Sequence, residues 1–261
     1  MSNKIFKPSK FLTLQLLNQK PYCLTIAASD TSGGAGIQRD LKTFQDIDVY
    51  SFSVITGITA QTFENVFFAE SLEKNQIEIQ LKTILDNFPI SATKIGVVFN
   101  QKIMKLIANY LTKFQLKNII IDPIILASDG TKFLQNSDMK YLKEKFLLLA
   151  DLVTPNISEL EILSEKNIKS EKDIISNAKK LSQKYQSSIF VKGGHFRKNR
   201  NIIKDFLITN NSVEIFESPR KKLSKTHGTG CAISSAITAF LAKDFSIKTA
   251  VREAKKYFLA K

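Results

Sequence analysis

The chain has 261 residues, 43% of them hydrophobic, which is enough apolar material for a sizeable core and excludes disorder as the main state. No apolar run approaches the ~20 residues that span a bilayer, and the N-terminus shows no secretory apolar stretch with a small-residue cleavage site, so a cytoplasmic protein without a membrane partner is expected. The net charge of +14 invites a nucleic-acid reading, but the excess is mostly Lys spread along the chain with Trp absent, which reads as composition bias rather than as a surface for specific nucleic-acid contacts.

Residues 1–20 hold several lysines and the short apolar run Phe11-Leu12-Thr13-Leu14, and are expected to lie outside the fold. From Pro21 onward short apolar runs alternate with helical patterns. Residues 24–28 read as a buried strand, followed by a Gly-rich loop and a helix from about Ile37. Residues 51–58 read as a strand, 76–88 as a helix, 94–98 as a strand and 101–114 as a helix. Residues 118–126 form the most apolar, β-branched strand pattern, with a short strand at 151–154, a helix at 172–185 and a strand at 188–192. Runs 202–209 and 212–216 flank Asn210-Asn211 and read as a hairpin, and helices at 228–242 and 247–259 follow. Continuous apolar strands separated by helices predict an α/β protein with a mostly parallel sheet covered on both faces, in one domain over 21–261.

In such sheets ligands bind beyond the C-terminal ends of the strands, and the unusual residues fall there. Ser29-Asp30-Thr31-Ser32-Gly33-Gly34-Ala35-Gly36 follows the first strand, and its glycines permit positive φ and close approach to a ligand. It matches neither a P-loop nor the dinucleotide fingerprint, and alone it could be only a turn. Thr226-His227-Gly228-Thr229-Gly230-Cys231 opens an apolar helix, where bare N–H groups make either an anion site or a simple cap. Asp122-Pro123, Thr154-Pro155-Asn156-Ile157-Ser158-Glu159 and Val191-Lys192-Gly193-Gly194-His195 each follow a predicted strand. The two cysteines make no disulfide framework; Cys23 reads as core, and His195 and His227 read as loop or surface residues.

Together these motifs resemble the hydroxymethylpyrimidine/phosphomethylpyrimidine kinase family of thiamine biosynthesis. The pattern S-D-x-S-G-G-A-G-I-Q-x-D-L-K-T-F falls on 29–44 and S-V-I-T-x-x-x-A-Q on 53–61, with Lys94-Ile95-Gly96 and the later motifs in the family's order. The resemblance spans about 22–258 and implies a ribokinase-like three-layer α/β/α sandwich, ATP and Mg²⁺ as cofactors, a small aminopyrimidine as substrate and a homodimer. It implies that Gln61, Asp40 and Gly36 contact the aminopyrimidine. Asn156 and Glu159 would support Mg²⁺ through waters, Asp122 the metal or the phosphates, and Lys192 and Thr229 the ATP phosphates. Gly228, Gly230 and Cys231 would form the anion hole. Cys231 stands where many ribokinase-like enzymes carry an aspartate base, and at a helix N-terminus a thiol pKa falls from about 8.5 toward 3.5–7.5, so a thiolate base is expected.

Two departures bear on substrate choice: Ala28 stands where the family usually has Gly, and Val97 where Met often follows Lys-Ile-Gly. Both are expected beside the pyrimidine. Two other readings remain open, a pyridoxal or pyridoxine kinase of the same fold and a degenerate relative acting as a binding protein. Gln61 after Ala60 favours the aminopyrimidine, and intact Asn156, Glu159, Lys192 and Cys231 favour an enzyme.

Overall fold

A computed structural model describes residues 20–127, 129–194, 196, 201–210, 212–220 and 229–260, with the backbone only of Thr229. Among the described residues nine strands form one sheet. They are β1 (Tyr22–Asp30), β2 (Tyr50–Gln61), β3 (Val66–Ser71), β4 (Ala92–Ile95), β5 (Ile119–Ile121), β6 (Leu152–Val153), β7 (Ser188–Val191), β8 (Ile202–Thr209) and β9 (Ser212–Pro219). Their spatial order is β3-β2-β1-β4-β5-β6-β7-β8-β9. The ladders from β2 through β1, β4, β5 and β6 to β7 are parallel; β3, β8 and β9 join antiparallel.

The α-helices of the described residues cover the sheet: α1 (Gly36–Asp46), α2 (Lys74–Leu85), α3 (Gln101–Lys113), α4 (Asn136–Tyr141), α5 (Ile157–Ser164), α6 (Glu171–Tyr185), α7 (Thr229–Ala242) and α8 (Ile247–Ala260). On one face Ile77, Leu81, Ile103, Ile107, Leu160 and Ile174 from α2, α3, α5 and α6 pack on Leu24, Ile26, Ile95 and Ile121. On the other, Phe44 of α1, Ile233 and Ile237 of α7, and Val251 of α8 pack on Cys23, Ile120, Leu152 and Phe190. Alternate residues of the same strands thus enter opposite layers, which is why the central strands are apolar without alternation. The expected three-layer α/β/α sandwich is present. No described helix is long and apolar enough to cross a membrane.

Several boundaries differ from the sequence reading. The strand expected over 118–126 is three residues long, Ile119–Ile121. Pro123 offers no N–H to a ladder, so the apolar stretch leaves the sheet just beyond Asp122. The strand expected over 94–98 ends at Ile95, and β3, α4 and α5 were not anticipated. Residues 1–19, His195, Asn211, His227 and Gly228 lie outside the described residues.

Candidate active site

Parallel ladders bring the C-terminal ends of β1, β2, β4, β5, β6 and β7 to one edge of the sheet, so Asp30, Gln61, Gly96, Asp122, Thr154 and Lys192 share that edge. The β1–β2 ladder slips between Ala27 and Ser29. At that slip Ala28 meets Gly36, which has φ +57°, and a Cβ on Gly36 would come within 2.4 Å of the Ala28 carbonyl oxygen. Only glycine gives both the left-handed turn and the close approach there. The loop closes on Asp30, whose carboxylate accepts the N–H of Ser32 at 2.8 Å and of Ala35 at 2.6 Å. Burial of Asp30 is outweighed by these bonds and one from the Gln61 side chain, which hold its carboxyl below the ordinary range. Gln61 is thereby tied to the Gly-rich loop at the mouth of the site.

Two buried charge clusters lie behind this mouth. In the first, Lys192 Nζ stands 2.6 Å from Asp122 Oδ1, which also accepts the Thr154 hydroxyl at 3.2 Å. The Ser234 hydroxyl reaches Asp122 Oδ2 at 3.0 Å. In the second, Lys94 Nζ is 2.6 Å from Asp40 Oδ1, with Thr25 donating to Oδ2 and Ser235 to Oδ1, each at 2.6 Å. Helix α7 ties the two together. Its consecutive serines reach one cluster each, and both hydroxyls also contact the Cys231 carbonyl, at 3.0 and 2.7 Å. Gly230, one residue earlier, faces Lys192: a Cβ there would sit 3.3 Å from Lys192 Nζ.

Electrostatics follow from this enclosure. Burial disfavours a charged Lys192, yet Asp122, Glu159 and Cys231 together raise its pKa above the ordinary lysine value. Lys94 behaves likewise, burial being overcome mainly by Asp40. Glu159 is pushed up to about 7 by burial, with Lys192 lowering it and Asp122 raising it. Asn156 and Glu159 also form a capping box on α5: Asn156 N–H donates to Glu159 Oε2 at 2.7 Å, and Glu159 N–H donates to Asn156 Oδ1 at 2.8 Å. The N-x-x-E spacing is therefore also a helix start. Among the described residues no group of three or more His, Cys, Asp and Glu is placed to hold a metal by protein ligands alone.

Two expectations need correction. Asp40, expected to touch the substrate, is 0% exposed with both oxygens engaged, so it lies in the floor of the site rather than at its surface. Cys231, expected as a low-pKa thiolate, is pushed up to about 11, because burial outweighs the pull of Lys94 and Lys192 while Asp122 and Asp40 add to it. Ala28 and Val97, expected beside the substrate, are buried near this edge, with the Val97 carbonyl accepting the Thr56 hydroxyl at 2.7 Å. The sequence reading gave no site role to Thr25, Ser234 and Ser235, and quoted Lys94 and Thr154 only as members of motifs. The one sequence signal of Thr25, Ser234 and Ser235 is a hydroxyl inside an otherwise apolar strand or helix.

A mostly parallel sheet flanked by helices on both faces, with a lysine–carboxylate corner and a helix N-terminus at the strand C-termini, is the arrangement of a ribokinase-like small-molecule kinase. The chain belongs to the phosphomethylpyrimidine kinase family, whose model matches residues 30–261. It is 37% identical over 239 residues to the hydroxymethylpyrimidine/phosphomethylpyrimidine kinase of Haemophilus influenzae, covering 91% of this chain and 89% of that one. Among solved structures it is similar to a phosphomethylpyrimidine kinase from Clostridium difficile, at 36% identity and a TM-score of 0.81 over 92% of this chain and 98% of that one. It is also similar to the pyridoxal kinase of Bacillus subtilis in its ADP complex, at 35% identity and a TM-score of 0.83, over 91% of this chain and 90% of that one. The protein is a phosphotransferase.

Proposed function

We propose that the protein transfers the γ-phosphoryl group of ATP to the hydroxymethyl oxygen of 4-amino-5-hydroxymethyl-2-methylpyrimidine, and then a second phosphoryl group to the monophosphate, supplying the diphosphate for thiamine biosynthesis. The observation that carries this reading is the corner where Lys192, held on Asp122, faces Gly230 and Cys231 at the start of α7. Phosphoryl transfer is chiefly positioning and charge stabilisation, and this corner supplies both.

Gln61 lies at the mouth, where its amide can pair with a ring nitrogen and an exocyclic amine, while Ala28, Gly36 and Val97 shape the apolar wall around the ring. Lys192 and Thr229 meet the ATP phosphates, and the backbone N–H groups of Gly228, Gly230 and Cys231 receive the charge that develops on the transferred group. Asn156, Glu159 and Asp122 would hold Mg²⁺, which would neutralise phosphate charge. Cys231 enters the first transfer mainly as a thiol. Only its ionised fraction, whose own proton has gone to solvent, accepts the hydroxymethyl proton, as the new bond from oxygen to phosphorus forms and the bond to ADP breaks. The second nucleophile is an anionic phosphate oxygen and needs no base. We read residues 21–261 as one catalytic domain, residues 1–20 as an extension outside it, and the working unit as a cytoplasmic homodimer with no specific nucleic-acid partner.

The similarity to a pyridoxal kinase supplies the competing reading. An ATP-coupled assay with hydroxymethylpyrimidine, its monophosphate and pyridoxal separates the two. The expected result is transfer to both pyrimidines and a kcat/KM for pyridoxal at least tenfold lower. A preference for pyridoxal, with no diphosphate formed, would overturn the proposal.

A further inference from the structure

Beyond the reacting corner lies a third buried ion pair with no part in the chemistry above. Lys255 Nζ, on α8, stands 2.6 Å from Asp205 Oδ2 on β8, with side-chain exposures of 9% and 7%. Lys255 also donates to the Ser218 hydroxyl at 3.2 Å. The other oxygen, Asp205 Oδ1, accepts the backbone N–H of Gly193 at 2.7 Å. Gly193 is the residue directly after Lys192. It lies so close to β8 that a Cβ would fall 1.8 Å from the Lys204 carbonyl oxygen.

Two charges in a core gain little net stability over apolar residues of the same size, so their placement calls for another reason. Here the reason is what the carboxylate holds. The 192–194 corner is pinned at four points: Lys192 N–H to the Pro155 carbonyl at 2.8 Å, Lys192 Nζ to Asp122 at 2.6 Å, Gly193 N–H to Asp205, and the Gly194 carbonyl to Arg220 Nη1 at 2.8 Å. Of these, the Asp205 bond is the one whose acceptor is a buried carboxylate with its own counter-charge on the C-terminal helix. Charge-assisted bonds of this kind are shorter and stronger than neutral ones, and fix a backbone more sharply.

We propose that Asp205 and Lys255 are positioning residues for Lys192: the carboxylate fixes the Gly193 amide, Lys255 supplies its counter-charge, and together they set where the Lys192 ammonium sits between Asp122 and the start of α7. This role rests on the phosphoryl-transfer reading. Through it, α8, which contributes no group to the reacting corner, acts on the nucleotide side of the reaction. The pair should therefore govern ATP and leave the pyrimidine alone.

The test uses the full chain with Lys255→Met, Asp205→Asn and Asp205→Leu, and Lys256→Met on the exposed side of the same helix as control. The expected result for Lys255→Met and Asp205→Leu is a KM for ATP at least tenfold higher and a lower kcat, with the KM for hydroxymethylpyrimidine within twofold of wild type. Asp205→Asn keeps an oxygen for the Gly193 N–H and should retain more activity than Asp205→Leu. Lys256→Met should match wild type. Folded variants whose ATP constants stay within twofold of wild type would overturn the role. So would a loss of kcat with both KM values unchanged, which is the mark of a smaller folded fraction. Should Lys255→Met not fold, amide exchange at Gly193 in the wild type decides: strong protection is expected, and exchange at the rate of a free loop would sink the proposal. A wild type that transfers nothing from ATP would instead refute the function itself and take the role of the pair with it.

Discussion

At Cys231 two effects oppose each other. The first turn of α7 and the ammonium groups of Lys94 and Lys192 favour a thiolate, whereas burial and the carboxylates of Asp122 and Asp40 favour the thiol; burial wins, with the pKa near 11. Because this acid's pKa is raised, the neutral form persists at physiological pH and the thiolate appears only well into the alkaline range. Alkylation of Cys231 by iodoacetamide, followed by peptide mass mapping, should therefore keep rising beyond pH 9; a plateau below pH 8 would mean a standing thiolate. With the minor thiolate fraction as the base, Cys231→Ser should lower the first transfer by about 10²-fold, the low end for a lost general base, and the second transfer less. Gly36 gives a second prediction. A Cβ there meets the Ala28 carbonyl at 2.4 Å with φ at +57°, so Gly36→Ala must move the loop away from β1. The left-handed conformation alone costs about 1–2 kcal/mol. The KM for the pyrimidine should rise at least fivefold and the KM for ATP should stay put, as steady-state kinetics with each substrate varied would show.

The helices offer a comparison between like caps. Helix α6 starts with Ser170 and Asp173, and α5 with Asn156 and Glu159; in both, side chain and backbone exchange bonds in a capping box. Ser170→Ala loses the bond from the Asp173 N–H and the hydroxyl's own bond to Asp173 Oδ2, and Asn156→Ala the bond from the Glu159 N–H; each should cost about 1 kcal/mol, a fall of about 2–4 °C in Tm for a chain of this size. Calorimetry should find the two alike. Activity should not: Ser170→Ala keeps wild-type turnover, whereas Asn156→Ala loses it, because only α5 starts at the Lys192–Asp122 corner. The same comparison shows what the sequence could disclose. The parallel strands announced themselves as unbroken apolar runs, and the Gly-rich loops marked the site's edge. Strand β3 stayed hidden because it is an edge strand whose Phe67 and Phe68 are both exposed, so no alternation betrays it. Helix α5 is only eight residues long, and its starting motif was read for its chemistry rather than as a cap. The inner clusters were illegible for a different reason. Thr25, Ser235, Asp205 and Lys255 are ordinary residues in regular elements, and only the packing of distant segments gives them partners.

For the molecule as a whole, the residues proposed for the site all follow Pro21, so removal of residues 1–18 should leave kcat and both KM values within twofold of wild type. A large loss in a folded truncation would show that the extension builds or covers the site. The charge of +14 makes a separate prediction: binding to DNA or RNA should be independent of sequence and weaken steeply as salt rises, by the release of condensed counterions. Sequence-selective retention at physiological salt in a filter-binding assay would contradict it.

The bond between Ser235 and Asp40 has a consequence for the order in which the chain is made. These residues are 195 positions apart, and Asp122 waits 112 positions for Ser234. At about 5–20 residues per second, a ribosome takes about 10–40 seconds between Asp40 and its last hydroxyl partner. By the end of that interval Asp40 on α1, Lys94 on β4 and Asp122 beyond β5 stand where α7 has yet to cover them, and α7 arrives as a lid over charges already in place. Long-range closures of this kind slow folding. The nascent protein thus passes through a stage with most of its strands made and no active site, and that stage is where chaperones and proteases would meet it.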